Sequence, residues 1–142
     1  MKGCWKIEIN NLTGHSIDKE ALKKIAQKVL EEEKEKKDLS IALIGPGKIR
    51  KLNKQYRGKN RVTDVLAFSG EEFFLGEIVI CPKEVAQNAE KFGQSFKKEL
   101  SLCLIHGVLH LLGYNHEISK EKAKKMKEKE NYYLEKWPDL TS

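Results

Sequence analysis

The stretch from Lys98 to Leu112 constrains the fold more than any other part of the chain. It reads K-E-L-S-L-C-L-I-H-G-V-L-H-L-L and is apolar nearly all round a helical circumference. A helix of that kind is buried on most of its surface, so the remaining elements must cover it. We therefore predict a central helix over 98–112 with the rest of the chain packed around it.

Hydrophobic periodicity predicts the elements around this helix. Strands are predicted over 4–10, 39–44, 62–68 and 75–80, the last two joined by a loop containing Gly70. Helices are predicted from Asp18 to about Lys36, around Ile49 to near Gly58, from Pro82 to about Phe92 and from Ser119 to Trp137. The 142 residues suit one domain, which we expect to span 1–142. The order predicts an α+β fold, a small mixed sheet of about four strands packed with helices.

Composition narrows the class of protein. No run approaches the ~20 consecutive apolar residues of a membrane-spanning helix, and the N-terminus lacks a secretory signal pattern, so we expect a cytoplasmic protein. Cys4, Cys81 and Cys103 are odd in number and widely spaced, which argues against a disulfide framework and a zinc ribbon. The net charge of +6 favours an anionic partner, nucleic acid above all, although a solvated surface of mixed sign is the alternative.

Three of the four histidines fall in the segment H-G-V-L-H-L-L-G-Y-N-H. His106 and His110 are one helical turn apart, so their rings project about 40° apart on one face. Gly113 stands where a glycine in left-handed conformation ends a helix, after which the chain can bring His116 to the same point. We predict that the three imidazoles bind one metal ion at the end of the buried helix and leave a fourth position open, as in catalytic zinc sites. The alternative is two hydrogen-bonded core histidines and an unrelated third.

Two further residues, Cys103 and Asp64, each have two possible roles, and the fourth histidine is assigned to the surface. Cys103 is expected to be a small core residue, with metal ligation as the alternative. Asp64 either orients a ligand histidine or shapes the turn before a strand. His15 lies in the turn after the first predicted strand, so we expect it to be exposed.

The histidine spacing resembles that of the metzincin peptidases, H-E-x-x-H-x-x-G-x-x-H. In those peptidases the glutamate after the first histidine is the general base. Here that position is Gly107, which moves no proton. A metallopeptidase-like hydrolase is therefore disfavoured and is kept only as an alternative.

A second resemblance covers nearly the whole chain. H-G-V-L-H-L-L-G-Y-N-H resembles the pattern H-G-x-L-H-L-x-G-Y-D-H of the YbeY-type endoribonucleases. The stretch L-N-K-Q-Y-R-G-K-N-R-V-T-D-V-L-A-F, from Leu52, is similar to their L-N-x-x-Y-R-x-K-x-x-x-T-D-V-L-S-F block, and L-G-E-I-V-I-C-P, from Leu75, to their L-G-D-I-x-I-x-P strand. Met126 stands where the family has a methionine, and we expect it to pack in the core.

The resemblance implies a zinc-dependent endoribonuclease with one zinc per chain. It implies action on single-stranded RNA in maturation of the 16S ribosomal RNA 3′ end and in ribosome quality control, with ribosomal RNA and the ribosome as partners. By matched position, His106, His110 and His116 are metal ligands and Arg57 is the functional arginine. Arg57 and His110 are the catalytic candidates, because the metal and a guanidinium both stabilise charge developing on a phosphate. A surface ion pair is the alternative for Arg57, and no residue declares itself as the general acid.

The chain departs from the family pattern at Asn115, where the family usually has aspartate. Loss of that charge predicts weaker metal binding or a less acidic bound water, unless Glu117 compensates. The departure keeps open a second interpretation, a ribosome-associated assembly factor whose zinc site is structural or vestigial.

Basic residues cluster in sequence around Arg57 and are candidate contacts to RNA phosphates: Lys48, Arg50, Lys51, Lys54, Lys59 and Arg61. A solvated helix face is the alternative for most of them. Aromatic residues are not interleaved among them as a stacking platform, so sequence-specific base reading is not indicated.

Overall fold

A computed structural model describes residues 6–114 and 119–141 of the chain. The strands are β1 (Ile7–Asn11), β2 (Asp38–Leu43), β3 (Val65–Glu71) and β4 (Phe74–Ile80). The helices are α1 (Lys19–Glu32), α2 (Pro46–Arg57), α3 (Pro82–Phe92), α4 (Phe96–Leu111), α5 (Lys120–Lys136) and the single turn α6 (Pro138–Thr141). The predicted α+β fold class, a four-stranded mixed sheet packed with helices, is confirmed.

Local sequence explains where the helices begin and end. Asp18 and Ser95 each accept a hydrogen bond from a backbone N–H in the first turn, of α1 and α4 respectively. Gly58 and Gly93 end α2 and α3 in the left-handed conformation, at φ values of 70° and 67°. Gly58 thereby fixes Arg57 as the last residue of α2.

The sheet has the strand order β1-β2-β4-β3. The first three strands are parallel, and Ile9, Ile41 and Ile78 lie side by side across them. β3 pairs antiparallel with β4 through a hairpin and forms an outer edge of the sheet. The side chains on β4 are buried on both faces of the sheet because helices cover both sides.

The core lies mainly between the sheet and helices α1 and α4. Ile78 and Ile80 of β4 belong to this large cluster, which also contains the apolar residues of α4 and Met126 and Tyr133 of α5. Val79 points the other way and joins a smaller cluster with Ile49 of α2 and Leu66 of β3. The edge strand β3 therefore runs between α4 on one face of the sheet and α2 on the other.

Most element positions follow the sequence predictions, with three corrections. α1 ends at Glu32 instead of about Lys36, because Lys34 adopts a positive φ of 59° that terminates the helix. Gly70 lies inside β3 instead of in a loop, and the hairpin turn is the two residues Glu72 and Phe73. The predicted strand over 62–68 begins at Val65 and extends three residues further.

Smaller differences concern the two ends of the chain. The first predicted strand included Cys4 and Trp5, which lie outside the described residues; β1 extends one residue beyond its predicted end. Pro138 ends α5 as predicted but also starts the short turn α6. In the stretches 6–114 and 119–141, no helix has the length and apolar character needed to cross a membrane.

Candidate active site

A cleft of about 640 Å³ follows the edge strand β3 and brings together residues that are far apart in sequence. Five consecutive residues, Val65 to Ser69, line it, so it touches both faces of the strand. His106 and His110 of α4 line one side, and Tyr56 and Arg57 at the end of α2 also contribute. Three of the four residues assigned to the site from sequence thus share one cleft.

The fourth, His116, lies outside the described residues, as do Asn115 and Glu117. The structure gives no position for the third predicted metal ligand. Gly113 has a φ of 100°, consistent with the left-handed turn predicted at the end of this helix. α4 itself ends at Leu111, two residues before this glycine.

His106 is held from behind by a buried carboxylate. Its Nδ1 is hydrogen-bonded to Oε2 of Glu130 on α5, whose side chain is 8% exposed. With the proton on Nδ1, the ring donates to Glu130, and Nε2 carries the lone pair that a metal requires. A carboxylate on the second nitrogen of a ligand histidine is the usual arrangement at protein metal sites. The donor chemistry of this half of the site therefore fits a metal ion.

Sequence reasoning did not single out Glu130. The helical periodicity of α5 predicts an inner face of Ala123, Met126, Tyr133, Leu134 and Trp137, a set that does not include Glu130. Its helical spacing of four from Met126 was the available signal, because that spacing places both residues on one face. Both are buried, Met126 at 1% exposure, which confirms the methionine as a core residue.

Gly107 lies against the sheet. A Cβ added there would come within 2.8 Å of Cγ2 of Ile78 on β4, so the close approach of α4 to the sheet requires glycine. The residue after the first histidine of this motif is therefore a packing position. This supplies a physical reason why a glutamate base of the metzincin type is absent here.

Asp64 and Cys103 contact each other. Asp64 Oδ1 accepts from the backbone N–H of Val65 at 2.8 Å, and Oδ2 lies 3.5 Å from the thiol of Cys103 and 3.4 Å from the amide of Asn88. Burial, reinforced by the negative charges of Asp64 and Glu99, raises the pKa of the Cys103 thiol well above its usual value. The protonated thiol acts as a hydrogen-bond donor in the core, in line with the expected packing role.

Among residues 6–114 and 119–141, Asp64, Glu99 and Cys103 also form a group of possible metal ligands whose ligand atoms lie within 4.8 Å of one another. Its thiol is protonated and its carboxylates already accept hydrogen bonds, Glu99 from the side chain of Gln94. A metal would have to displace these donors. The molecule thus offers possible metal ligands in this group and at the histidines.

The basic residues around Arg57 are exposed, as are Arg57 itself and His15. Asn53 of α2 is buried and organises the loop that carries two of them. Its side-chain amide donates to the backbone carbonyl of Arg61 at 3.0 Å, and its backbone carbonyl accepts from the N–H of Lys59 at 3.2 Å. Arg50 donates to the side chain of Asn60 at 2.9 Å in the same loop. Exposed positive charge therefore runs along α2 and the loop after it, and the last residue of this helix, Arg57, lines the cleft.

The sequence matches a known protein family, and the fold is similar to that of a solved structure. A family model described as Endoribonuclease YbeY matches residues 7–138. The chain is 38% identical to the endoribonuclease YbeY of Thermotoga neapolitana, covering 92% of this chain and 91% of that protein, and 41% identical to that of Thermotoga maritima, covering 87% and 83%. The solution structure of TM1509 from Thermotoga maritima superposes with a TM-score of 0.68 at 37% identity, covering 94% of this chain and 91% of that one.

Proposed function

Since this chain belongs to the YbeY family of endoribonucleases, we propose that it is a metal-dependent endoribonuclease acting on single-stranded RNA in the processing of ribosomal RNA. The observation that carries the proposal is the shared cleft of His106, His110 and Arg57. Metal-ligand chemistry and a phosphate-binding group face the same space there. We place this activity in the cytoplasm, on ribosomal RNA and the ribosome.

His106, His110 and His116 would hold the metal, which we propose to be one zinc ion per chain. A metal bound in this way supplies a Lewis acid for water and phosphate oxygens. Glu130 fixes the ring of His106 and its tautomer, so that Nε2 is presented for binding without reorganisation. His110 comes from the same rigid helix one turn later.

Arg57 binds and orients the phosphodiester in this proposal. A planar guanidinium can donate two parallel hydrogen bonds to one phosphate. The exposed basic residues of α2 and the loop after it attract the neighbouring phosphates of the strand. Binding is therefore expected to weaken steeply with salt.

The second candidate function is an assembly factor in which a histidine-bound zinc has only a structural role. Asn115, in place of the family's aspartate, is the observation that favours it. The hydrogen bond from His106 to the buried Glu130 favours a metal site but does not separate the two functions.

The experiment compares metal content and cleavage of single-stranded RNA for the wild type, His110→Ala and His15→Ala. His15 is an exposed histidine outside the cleft, so His15→Ala is the matched control. We expect about one zinc in the wild type and the control. In His110→Ala both zinc and cleavage should be lost, and chelation of the wild type should abolish cleavage until zinc is returned.

Arg57→Ala separates phosphate binding from metal binding. We expect it to retain zinc and to lose at least tenfold in cleavage, since one charged hydrogen-bond donor to a phosphate is worth about 1.5–3 kcal/mol. Zinc bound at one per chain, with no cleavage of free or ribosomal RNA by the wild type, would favour the assembly factor. In that case Asn115→Asp is the first reversion to make.

A further inference from the structure

An exposed aromatic ring lies in the same cleft as the histidines. Tyr56, next to Arg57 at the end of α2, is 61% exposed and lines the cleft. Its ring contacts Phe68 of β3 with the centroids 5.2 Å apart and the planes at 68°, an edge-to-face arrangement. Phe68 is partly buried against the smaller core cluster, so it is a fixed support for the tyrosine ring.

This pair was not visible in the sequence, because its members are separated by the whole loop between α2 and β3. The basic segment contains a single aromatic residue, Tyr56. The fold supplies a second by bringing Phe68 to it. At 61% exposure, Tyr56 has apolar area left for another flat group.

We propose that Tyr56 stacks on an unpaired nucleobase next to the phosphate held by Arg57, and that this contact gives the cleft its preference for single-stranded RNA. The inference rests on the proposed function, which supplies RNA as the ligand. Every nucleobase has a face that stacks on an aromatic ring, whereas the bases of a duplex are already stacked on each other and are not available. The contact selects for strandedness and is tolerant of sequence.

Position and charge support this assignment. Tyr56 and Arg57 both line the cleft from the end of one helix, so a nucleotide bound there can place its phosphate at the guanidinium and its base at the ring. Lys54 and Lys59 flank the pair and are exposed. Tyr56 is the one exposed large hydrophobic residue, among those in the described part of the chain, that also lines the histidine cleft.

The test uses the full-length protein and short single-stranded oligoribonucleotides in which one base at a time is removed to leave an abasic ribose. Tyr56→Leu keeps apolar bulk without a flat ring, Tyr56→Phe keeps the ring, and Phe92→Leu is the matched control. Phe92 is 63% exposed at the end of α3 and does not line the cleft. Cleavage kinetics and binding by fluorescence anisotropy are measured on each pair.

For Tyr56→Leu we expect binding to weaken and KM to rise about 5- to 150-fold, the effect of losing one base–aromatic stack. kcat should change little, since a stack made in both ground and transition states is uniform binding. Phe92→Leu should behave as wild type, and Tyr56→Phe, which keeps the ring, should recover most of the binding that Tyr56→Leu loses. One abasic position should weaken wild-type binding by the same factor and have no further effect in Tyr56→Leu.

Two outcomes would overturn the inference. One is equal sensitivity of the wild type and Tyr56→Leu to every abasic position, and the other is an effect of Tyr56→Leu that is just as large on duplex RNA. Absence of cleavage in the wild type would contradict the proposed function instead. Anisotropy would still test the stack in that case, because binding is measured without turnover.

Discussion

Glu130 and Glu33 are both carboxylates that join α5 to another part of the molecule, yet their surroundings differ. Glu33, just after α1, accepts hydrogen bonds from Tyr114 at 2.9 Å, from Lys129 at 3.0 Å and from Tyr133. Glu130 is bonded to His106, whose ring reaches the cleft. The donors of Glu33 hold other elements together, whereas the partner of Glu130 is a proposed metal ligand.

The comparison shows that burial of a carboxylate does not by itself indicate a functional site. Burial alone would raise the pKa of Glu33, but the hydrogen bonds from Tyr133, Lys129 and Tyr114 outweigh it and lower the pKa of that carboxyl. Glu33 is therefore a charged carboxylate that holds α5 and Tyr114 to the end of α1 through three hydrogen bonds. What marks Glu130 is the chemistry of the group that it touches.

The largest effect is expected for Glu130→Ala. Removing the carboxylate frees the ring of His106 to rotate and to change tautomer, so zinc affinity should fall about 10- to 100-fold. Glu130→Gln keeps an acceptor for Nδ1 and should recover most of that loss. Competition with a chromophoric chelator measures both affinities. Wild-type affinity in Glu130→Ala would show that Glu130 is only a packing residue.

Glu33→Ala should give the opposite profile. Its removal leaves the phenol of the buried Tyr133 without its acceptor, so the free energy of unfolding should fall by about 1–3 kcal/mol. Urea denaturation of the metal-free protein measures it. Zinc affinity should stay at the wild-type value, and a loss matching that of Glu130→Ala would end the distinction between the two carboxylates.

A pH series sharpens the same comparison. Because the folded-state pKa of Glu33 is lowered, its stabilising effect is fully present above the unfolded pKa of about 4.3 and is lost as the pH falls through the lower folded value. The stability difference between the wild type and Glu33→Gln should therefore be constant from about pH 5 to 8 and shrink below pH 4. Urea midpoints across this range test it, and a difference that grows on acidification would contradict the assigned direction.

The sequence was sufficient for the parts of the fold that depend on local pattern. α3 begins at Pro82 and ends at Phe92 as predicted, because proline and glycine mark both ends within the chain itself. The apolar run of α4 identified the central helix, and the spacing of His106 and His110 predicted that one helix carries both to the same side, where both line the cleft. These features involve residues within a few positions of each other.

The remainder depends on partners that are distant in sequence. The three donors to Glu33 lie 81 to 100 residues further along the chain. Glu130 is 24 residues from His106, and no periodicity within α5 could indicate that partner. β3 begins and ends three residues later than predicted, because the two-residue hairpin turn, rather than Gly70, sets where its pairing with β4 begins.

The smallest expected effect, that of Tyr114→Phe, tests whether the two regions are independent. Tyr114 donates to Glu33 and lies two residues before His116 in the sequence. The variant removes one of three donors, and the backbone bond from Tyr114 N–H to the carbonyl of Leu109 at 3.1 Å remains. We therefore expect a loss of about 0.5–1.5 kcal/mol in the free energy of unfolding, with zinc affinity unchanged. Urea denaturation and chelator competition on one preparation decide it, because a fall in zinc affinity larger than the fall in stability would mean that the Glu33 anchor also positions the third histidine.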